Sequence, residues 1–301
     1  MSPSDAVLLM AYGTPATPGD IEAYYTHIRG GRAPTPDHVK RLADRYAAIG
    51  GASPLLEITQ AAARALSVRL GSPVYVGMKH WHPFIADAVA QMHRDGVARA
   101  VAITLAPHYS RMSVGAYVHT AQAVAERHGG PQLRCLESWH LHPGLIATLA
   151  DRVREARARL PHPDTAAVVF TAHSLPKRIL EWNDPYPRQL VESAKAVAAK
   201  ANAARWSFAF QSASATGEPW LGPDVGDAIG DLNTKGVREV VVCPIGFVAD
   251  HLEVLYDIDV EARERAEALG VRLVRTPSLN DAPAFIEILA GLARETLTAA
   301  V

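Results

Sequence analysis

Two residues of this chain stand where reactive groups of open α/β proteins stand: His173, near the end of VVFTAHSLP, and Glu253, within PIGFVADHLEVLYDID. Each follows an apolar run that reads as a buried strand, and ligands of such folds bind beyond the carboxyl ends of the strands. Pro176 must turn the chain just after the histidine. A neutral imidazole placed there can take up a proton near neutral pH or ligate a divalent metal. Glu253, Asp257 and Glu261 follow at four-residue spacing and so line one helix face. One reading of such a row is a path for cations or protons. The other reading is a solvated face whose first carboxylate balances the helix dipole.

Basic residues gather earlier in the chain. Arg29, Arg41 and Arg45 lie close in sequence with Ser53 nearby, and guanidinium groups bind carboxylates bidentately, so the set suits a polyanionic substrate. Arginines on an amphipathic helix surface are the plainer alternative. His80 and His82 in KHWHP, and His108 in LAPHYS, follow strand-like runs of the first half and stand as supporting groups around the same ligand end. The His-x-His pair is not a specific metal motif. No glycine-rich phosphate loop, G-x-S-x-G elbow, His-Glu-x-x-His or paired C-x-x-C occurs, so nucleotide binding has no support.

The totals narrow the classes. With 301 residues and 49% hydrophobic content the chain can bury two α/β cores, and a formal net charge of −1 gives no general attraction to nucleic acid or anionic membranes. Cys135 and Cys243 both lie in apolar runs, where a thiol behaves as a small hydrophobe. Two thiols are too few for the four thiolates of a usual iron–sulfur cluster. No leader-like or membrane-spanning run is present, which leads us to expect a cytoplasmic protein.

Short β-branched runs alternate with helical patterns throughout, four in each half, which predicts two four-stranded parallel sheets flanked by helices. The halves repeat: Pro143, Ile146, Leu149 and Ala150 recur 140 positions later as Pro283, Ile286, Leu289 and Ala290. We therefore expect two Rossmann-like domains related by duplication, over residues 1–160 and 161–301, with the last helix packing back on the first domain. Aligning LLMAYGTP with VFTAHSLP sets Tyr12 over His173. Two such domains facing each other would sandwich a flat ligand between these residues. Residues 14–53 break the repeat with two helical patterns and read as a lid.

The segments LLMAYGTP, DIEAYYTHIRGGRAPTP, DRYAAIGGASPL, KHWHPFIADAVAQMHRDG, LAPHYSRMSVGAY, TAHSLPKRI, DPYPRQLVESAK, PWLGPDV and PIGFVADHLEVLYDID together resemble the ferrochelatase family, most closely its soluble Gram-positive type that acts on coproporphyrin III. The resemblance runs from about residue 6 to 290. It implies a monomeric, chelatase-like lyase of heme and porphyrin biosynthesis that holds the porphyrin between its domains and inserts ferrous iron. On this match His173 is the histidine that receives pyrrole protons or binds iron, and Glu253 its partner carboxylate on the same porphyrin face. Tyr12 matches the tyrosine that meets the metal from the other face. Arg29, Arg45, Tyr46, Ser53 and Tyr117 match substrate-binding positions, and Asp257 with Glu261 match an outer site for a second cation such as Mg2+. No resident cofactor is implied: iron is a substrate, and no iron–sulfur cluster is expected. The implied partners are coproporphyrin III, iron and, transiently, the enzyme that uses the product; nucleic acid and an integral membrane segment are not among them. Tyr12 and the absence of a membrane-binding lip favour coproporphyrin over protoporphyrin IX. A protoporphyrin enzyme, a non-enzymatic porphyrin carrier and a cobalt or nickel chelatase are the rival readings. The stretch QSASATGEPW departs from the match and leaves one wall of the site unassigned.

Overall fold

A computed structural model describes residues 5–214 and 217–298. The chain divides into two compact units: the first takes residues up to Trp139, Ala249–His251 and those from Leu279 onward, and the second takes His140–Val248 and Leu252–Ser278.

In the first unit the elements run β1 (Asp5–Ala11), α1 (Ile21–Ile28), α2 (Pro36–Ala48), α3 (Leu55–Leu70), β2 (Val74–Met78), α4 (Ile85–Arg94), β3 (Arg99–Thr104), α5 (Val114–His128) and β4 (Gln132–Leu136). The second unit holds α6 (Pro143–Ala158), β5 (Ala167–His173), α7 (Tyr186–Lys200), β6 (Trp206–Gln211), α8 (Val225–Thr234), β7 (Glu239–Cys243), α9 (Leu252–Tyr256), a π-helical turn (Asp257–Ala262), α10 (Arg263–Ala268) and β8 (Arg272–Arg275). The closing helix α11 (Pro283–Thr298) packs on α3, β3 and β4 of the first unit.

Each unit is built on a parallel four-stranded sheet, ordered β2-β1-β3-β4 in the first and β6-β5-β7-β8 in the second. This is the α/β architecture expected from the alternating runs, and the shared strand order agrees with a repeat. The boundary read from sequence differs in one respect. Helix α6 packs on α7, β7 and β8, so the second unit begins at His140 rather than near residue 161. Sequence order assigned α6 to the half whose last strand precedes it; the apolar face of the helix decides otherwise.

The inner strands explain themselves. β1 (DAVLLMA) is buried at every position, and in β5 (AVVFTAH) only the terminal histidine is partly exposed, as parallel strands covered on both faces must be. Val169, Ile229, Val240, Val242, Ile258 and Leu273 form one core, while Leu8, Met10, Ile85, Met92 and Val124 form another. Burying each such side chain contributes about 1.5–3 kcal/mol. Close approach also fixes the turn after β7. A β-carbon on Gly246 would lie 2.5 Å from Cβ of Ala172, so only glycine lets this turn pass beside β5.

Candidate functional site

The carboxyl end of the second sheet carries His173. The imidazole Nδ1–H donates to the carbonyl of Ser174 in a short hydrogen bond, which turns Nε2 toward Oε1 of Glu253 at 3.6 Å. That separation is long for a hydrogen bond, so the contact is chiefly an ion pair. Both side chains are part-buried, at 31% and 22% exposure. Burial lowers the imidazole's affinity for a proton, but Glu253, helped by the Ser174 carbonyl and Asp257, more than offsets it and the pKa rises from 6.5 to about 9. Beside Glu253 the imidazole is therefore held as an imidazolium at pH 7. The carbonyl of His173 in turn accepts from the hydroxyl of buried Tyr186 at 3.0 Å, and Trp220 lies 6.3 Å away, ring to ring.

Glu253 stands in the first turn of the short α9, and the chain passes directly into the π-helical turn that carries Asp257 and Glu261. Four residues overshoot an α-helical turn of 3.6 residues, whereas an i→i+5 ladder holds more than four residues per turn. The drift of a four-residue row in α9 is thus reversed in the next turn. The three carboxylates differ in exposure: Glu253 is half-buried, Asp257 is buried and accepts from the Ser212 hydroxyl, and Glu261 is exposed. Among the described residues no three His, Cys, Asp or Glu side chains converge as a ready metal cage.

In the first unit Tyr12 follows β1 with 36% of its surface exposed, its ring 4.6 Å from that of His80. His80 is held neutral, with its pKa near 3, by burial and by the neighbouring Lys79 and His27, whose Nδ1 lies 3.1 Å from that of His80. Two tyrosines fasten the helical insert to the turn after β1. Tyr24 of α1 donates to the Gly13 carbonyl at 3.1 Å, and the hydroxyl of buried Tyr46 in α2 bonds Thr14 at 3.0 Å. Gly13 has φ +93°, and a β-carbon there would meet the Trp81 amide at 2.9 Å, so this turn requires glycine. Arg29 ends α1 with its guanidinium 5.9 Å from the Tyr25 ring centre, and Arg45 lies in the last turn of α2 beside Tyr46. Ser53 accepts from the Leu55 amide at 3.3 Å. Tyr117 is buried under Lys79, whose Nζ is 5.0 Å from the ring centre, and His108 is also buried. His82 is exposed.

Within the second unit the structure brings His173, Glu253 and Asp257 together; in the first it gathers Tyr12 with His80 and His27, and Tyr46 with Thr14. Sequence reading missed Tyr186, Gln211 and Ser212. Tyr186 was visible only inside the matching run DPYPRQLVESAK, and Gln211 and Ser212 open the stretch that departed from the family pattern. Both thiols lie in strands, Cys243 with its pKa pushed up to about 12 and Cys135 to about 11, each mainly by burial.

Comparison with known proteins covers nearly the whole chain. The family model described as Ferrochelatase matches residues 4–297. Coproporphyrin III ferrochelatase of Bacillus subtilis is 46% identical over 294 residues, covering 94% of this chain and 95% of that one. The corresponding protein of Anoxybacillus flavithermus is 47% identical, with 94% and 93% covered. A ferrochelatase of Herpetosiphon aurantiacus is 45% identical, with 96% and 98% covered. Among solved structures, SirB from Bacillus subtilis with Fe3+ superposes with a TM-score of 0.65 at 11% identity, covering 98% of this chain and 96% of that one. At that identity the likeness concerns the fold alone.

Proposed function

The chain belongs to the ferrochelatase family, and we infer that it inserts ferrous iron into coproporphyrin III to form the iron porphyrin of heme biosynthesis. The observation that carries this reading is the His173–Glu253 pair at the carboxyl end of the second sheet, in a chain whose near full-length relatives include coproporphyrin III ferrochelatases. Metal insertion requires two pyrrole protons to leave while the ion sheds water. A planar ring cannot offer its nitrogens to a base and a metal at once, so remote binding contacts must hold it bent.

We assign those contacts to Arg29 and Arg45, with Tyr12, Tyr46, Ser53 and Tyr117 completing the substrate set, because four propionates call for cationic partners. Tyr46 acts there by fastening α2, since its hydroxyl is engaged with Thr14. In the same reading Tyr12 meets the iron of the product, and His173 and Glu253 exchange protons with the ring and receive the iron. Asp257 and Glu261 form the outer cation station, with a divalent ion such as Mg2+ as its occupant. Iron is a substrate, and no resident cofactor is assigned. Among the described residues no helix is long and apolar enough to cross a membrane. A cytoplasmic monomer that hands its product to the next enzyme is the setting that fits this reading.

The test is anaerobic turnover with ferrous iron, comparing coproporphyrin III with protoporphyrin IX, with His173→Ala as control. The expected result is preference for coproporphyrin III and, in the variant, retained porphyrin binding by Soret shift with insertion reduced about 10²- to 10⁴-fold. Preference for protoporphyrin IX would move the protein to the other branch of its family, consistent with relatives named simply ferrochelatase. Full turnover by His173→Ala would remove the imidazole from the mechanism.

A further inference from the structure

The side chain of Gln211 ties the strand that ends in His173 to the turn that carries Glu253. Gln211 ends β6 and is 1% exposed. In the parallel register it sits directly opposite His173, and Thr171 sits opposite Ala209. Side chains alternate along a strand, so His173, Thr171 and Gln211 all project from one face of the sheet. There Oε1 of Gln211 accepts from the Thr171 hydroxyl at 2.8 Å, and Nε2 donates to the backbone carbonyl of Glu253 at 2.8 Å. A backbone carbonyl can only accept, so the amide has one satisfying orientation and the threonine must be its donor. The backbone of the same residue also binds the strand end, with its carbonyl accepting from the Ser174 amide at 2.8 Å.

The next residue strengthens the same link. Strand alternation would send Ser212 to the opposite face from Gln211. Instead Ser212 adopts φ +62°, an uncommon conformation for a residue other than glycine, and its hydroxyl reaches Asp257. Two successive residues thereby hold the two consecutive acidic positions of the α9 and π-helical turns. The Glu253 carbonyl lies one turn before Asp257, the first π-helical residue, so the glutamine donates at the point where the ladder changes type.

We propose that Gln211 is a positioning residue for iron insertion, its amide fixing the turn that carries Glu253 against the strand end that carries His173. This rests on the reading of the protein as a coproporphyrin ferrochelatase. Proton transfer and metal delivery depend on placement to a fraction of an ångström, and a displacement near 1 Å costs up to about a hundredfold in rate. A leucine fills nearly the same volume and makes neither bond.

In Gln211→Leu, kcat for iron insertion into coproporphyrin III falls about 10- to 100-fold, while KM for the porphyrin and the Soret shift on binding remain those of the parent. A loss of packing alone would not separate kcat from KM in this way. Parent-like kcat in folded Gln211→Leu, or a loss borne by KM instead, overturns the proposal. Thr171→Val, which conserves volume and frees the amide without touching it, decides the matter if the leucine variant does not fold. A lowered kcat at constant KM supports the assignment, and parent-like kcat overturns it. The parent protein run alongside separates the two levels of inference: absence of iron insertion by the parent refutes the functional reading, whereas parent turnover unaffected by either substitution refutes only the role of Gln211.

Discussion

Replacing Glu253 by glutamine removes the charge of the pair while leaving its shape, and its consequences follow from the proton held on His173. In the parent the imidazole pKa rises from 6.5 to about 9, although burial alone would lower it. The carboxylate 3.6 Å away is the largest influence in the raising direction. At about 1.36 kcal/mol per pH unit, the net rise favours the folded imidazolium by roughly 3 kcal/mol. The ring is 31% exposed and solvent screens part of this, so about 1–2 kcal/mol of stability is expected from the pair. A raised pKa contributes fully below the unfolded value near 6.5 and loses its contribution as pH rises through about 9. Glu253→Gln is therefore expected to unfold at lower urea than the parent at pH 6, and the gap closes at pH 10. Without its strongest raising partner, the His173 imidazole titrates at a lower pH than in the parent, which an NMR titration of the ring protons reads directly. An imidazole still titrating near 9 in the variant, or equal destabilisation at pH 6 and pH 10, would refute this account of the pair.

Removing both Arg29 and Arg45 to alanine should raise the Kd for coproporphyrin III by tenfold or more, since each charge-assisted contact contributes about 1.5–3 kcal/mol, while far-UV circular dichroism stays unchanged; undiminished affinity for the four-propionate ring excludes these guanidinium groups as its anchor. Gly246→Ala forces a β-carbon against Ala172, the residue before His173, and should cost about 1–3 kcal/mol and lower turnover. The contrasting change Gly230→Ala, inside α8 with open space around it, should leave turnover intact and raise Tm by a few degrees. Equal thermal shifts in these two variants would show that the close approach at the β7 turn is not what requires glycine there.

What could be read before the structure was whatever one strand or one helix determines by itself. His173 and Glu253 are visible because each follows an apolar run, and the four-stranded halves are visible because β-branched runs alternate with helical ones. The role of Gln211 is invisible for the opposite reason: a polar residue at a strand end is unremarkable until the register shows which histidine lies across from it. Nor does DIDVEA, without glycine or proline, announce a change from α to π bonding. The helix boundaries misled in the case of α6, because order along the chain says which strand a helix follows but not which sheet its apolar face prefers.

The proton state of His173 was equally beyond the sequence, and it changes the order in which the chemistry must run. An imidazolium cannot accept a pyrrole proton, so at neutral pH the pair has to lose a proton before the imidazole can act as a base. Glu253 is the carboxylate the structure sets against that imidazolium, at 3.6 Å. Ferrous iron reaching Glu253 would repel the imidazolium charge and favour the same release. Arrival of the metal and creation of the base are then one coupled event, and kcat/KM for iron should rise with pH until His173 is neutral, near 9 in the parent and at lower pH in Glu253→Gln. A rate profile in which the two proteins share one ascending limb would assign the controlling proton to another group.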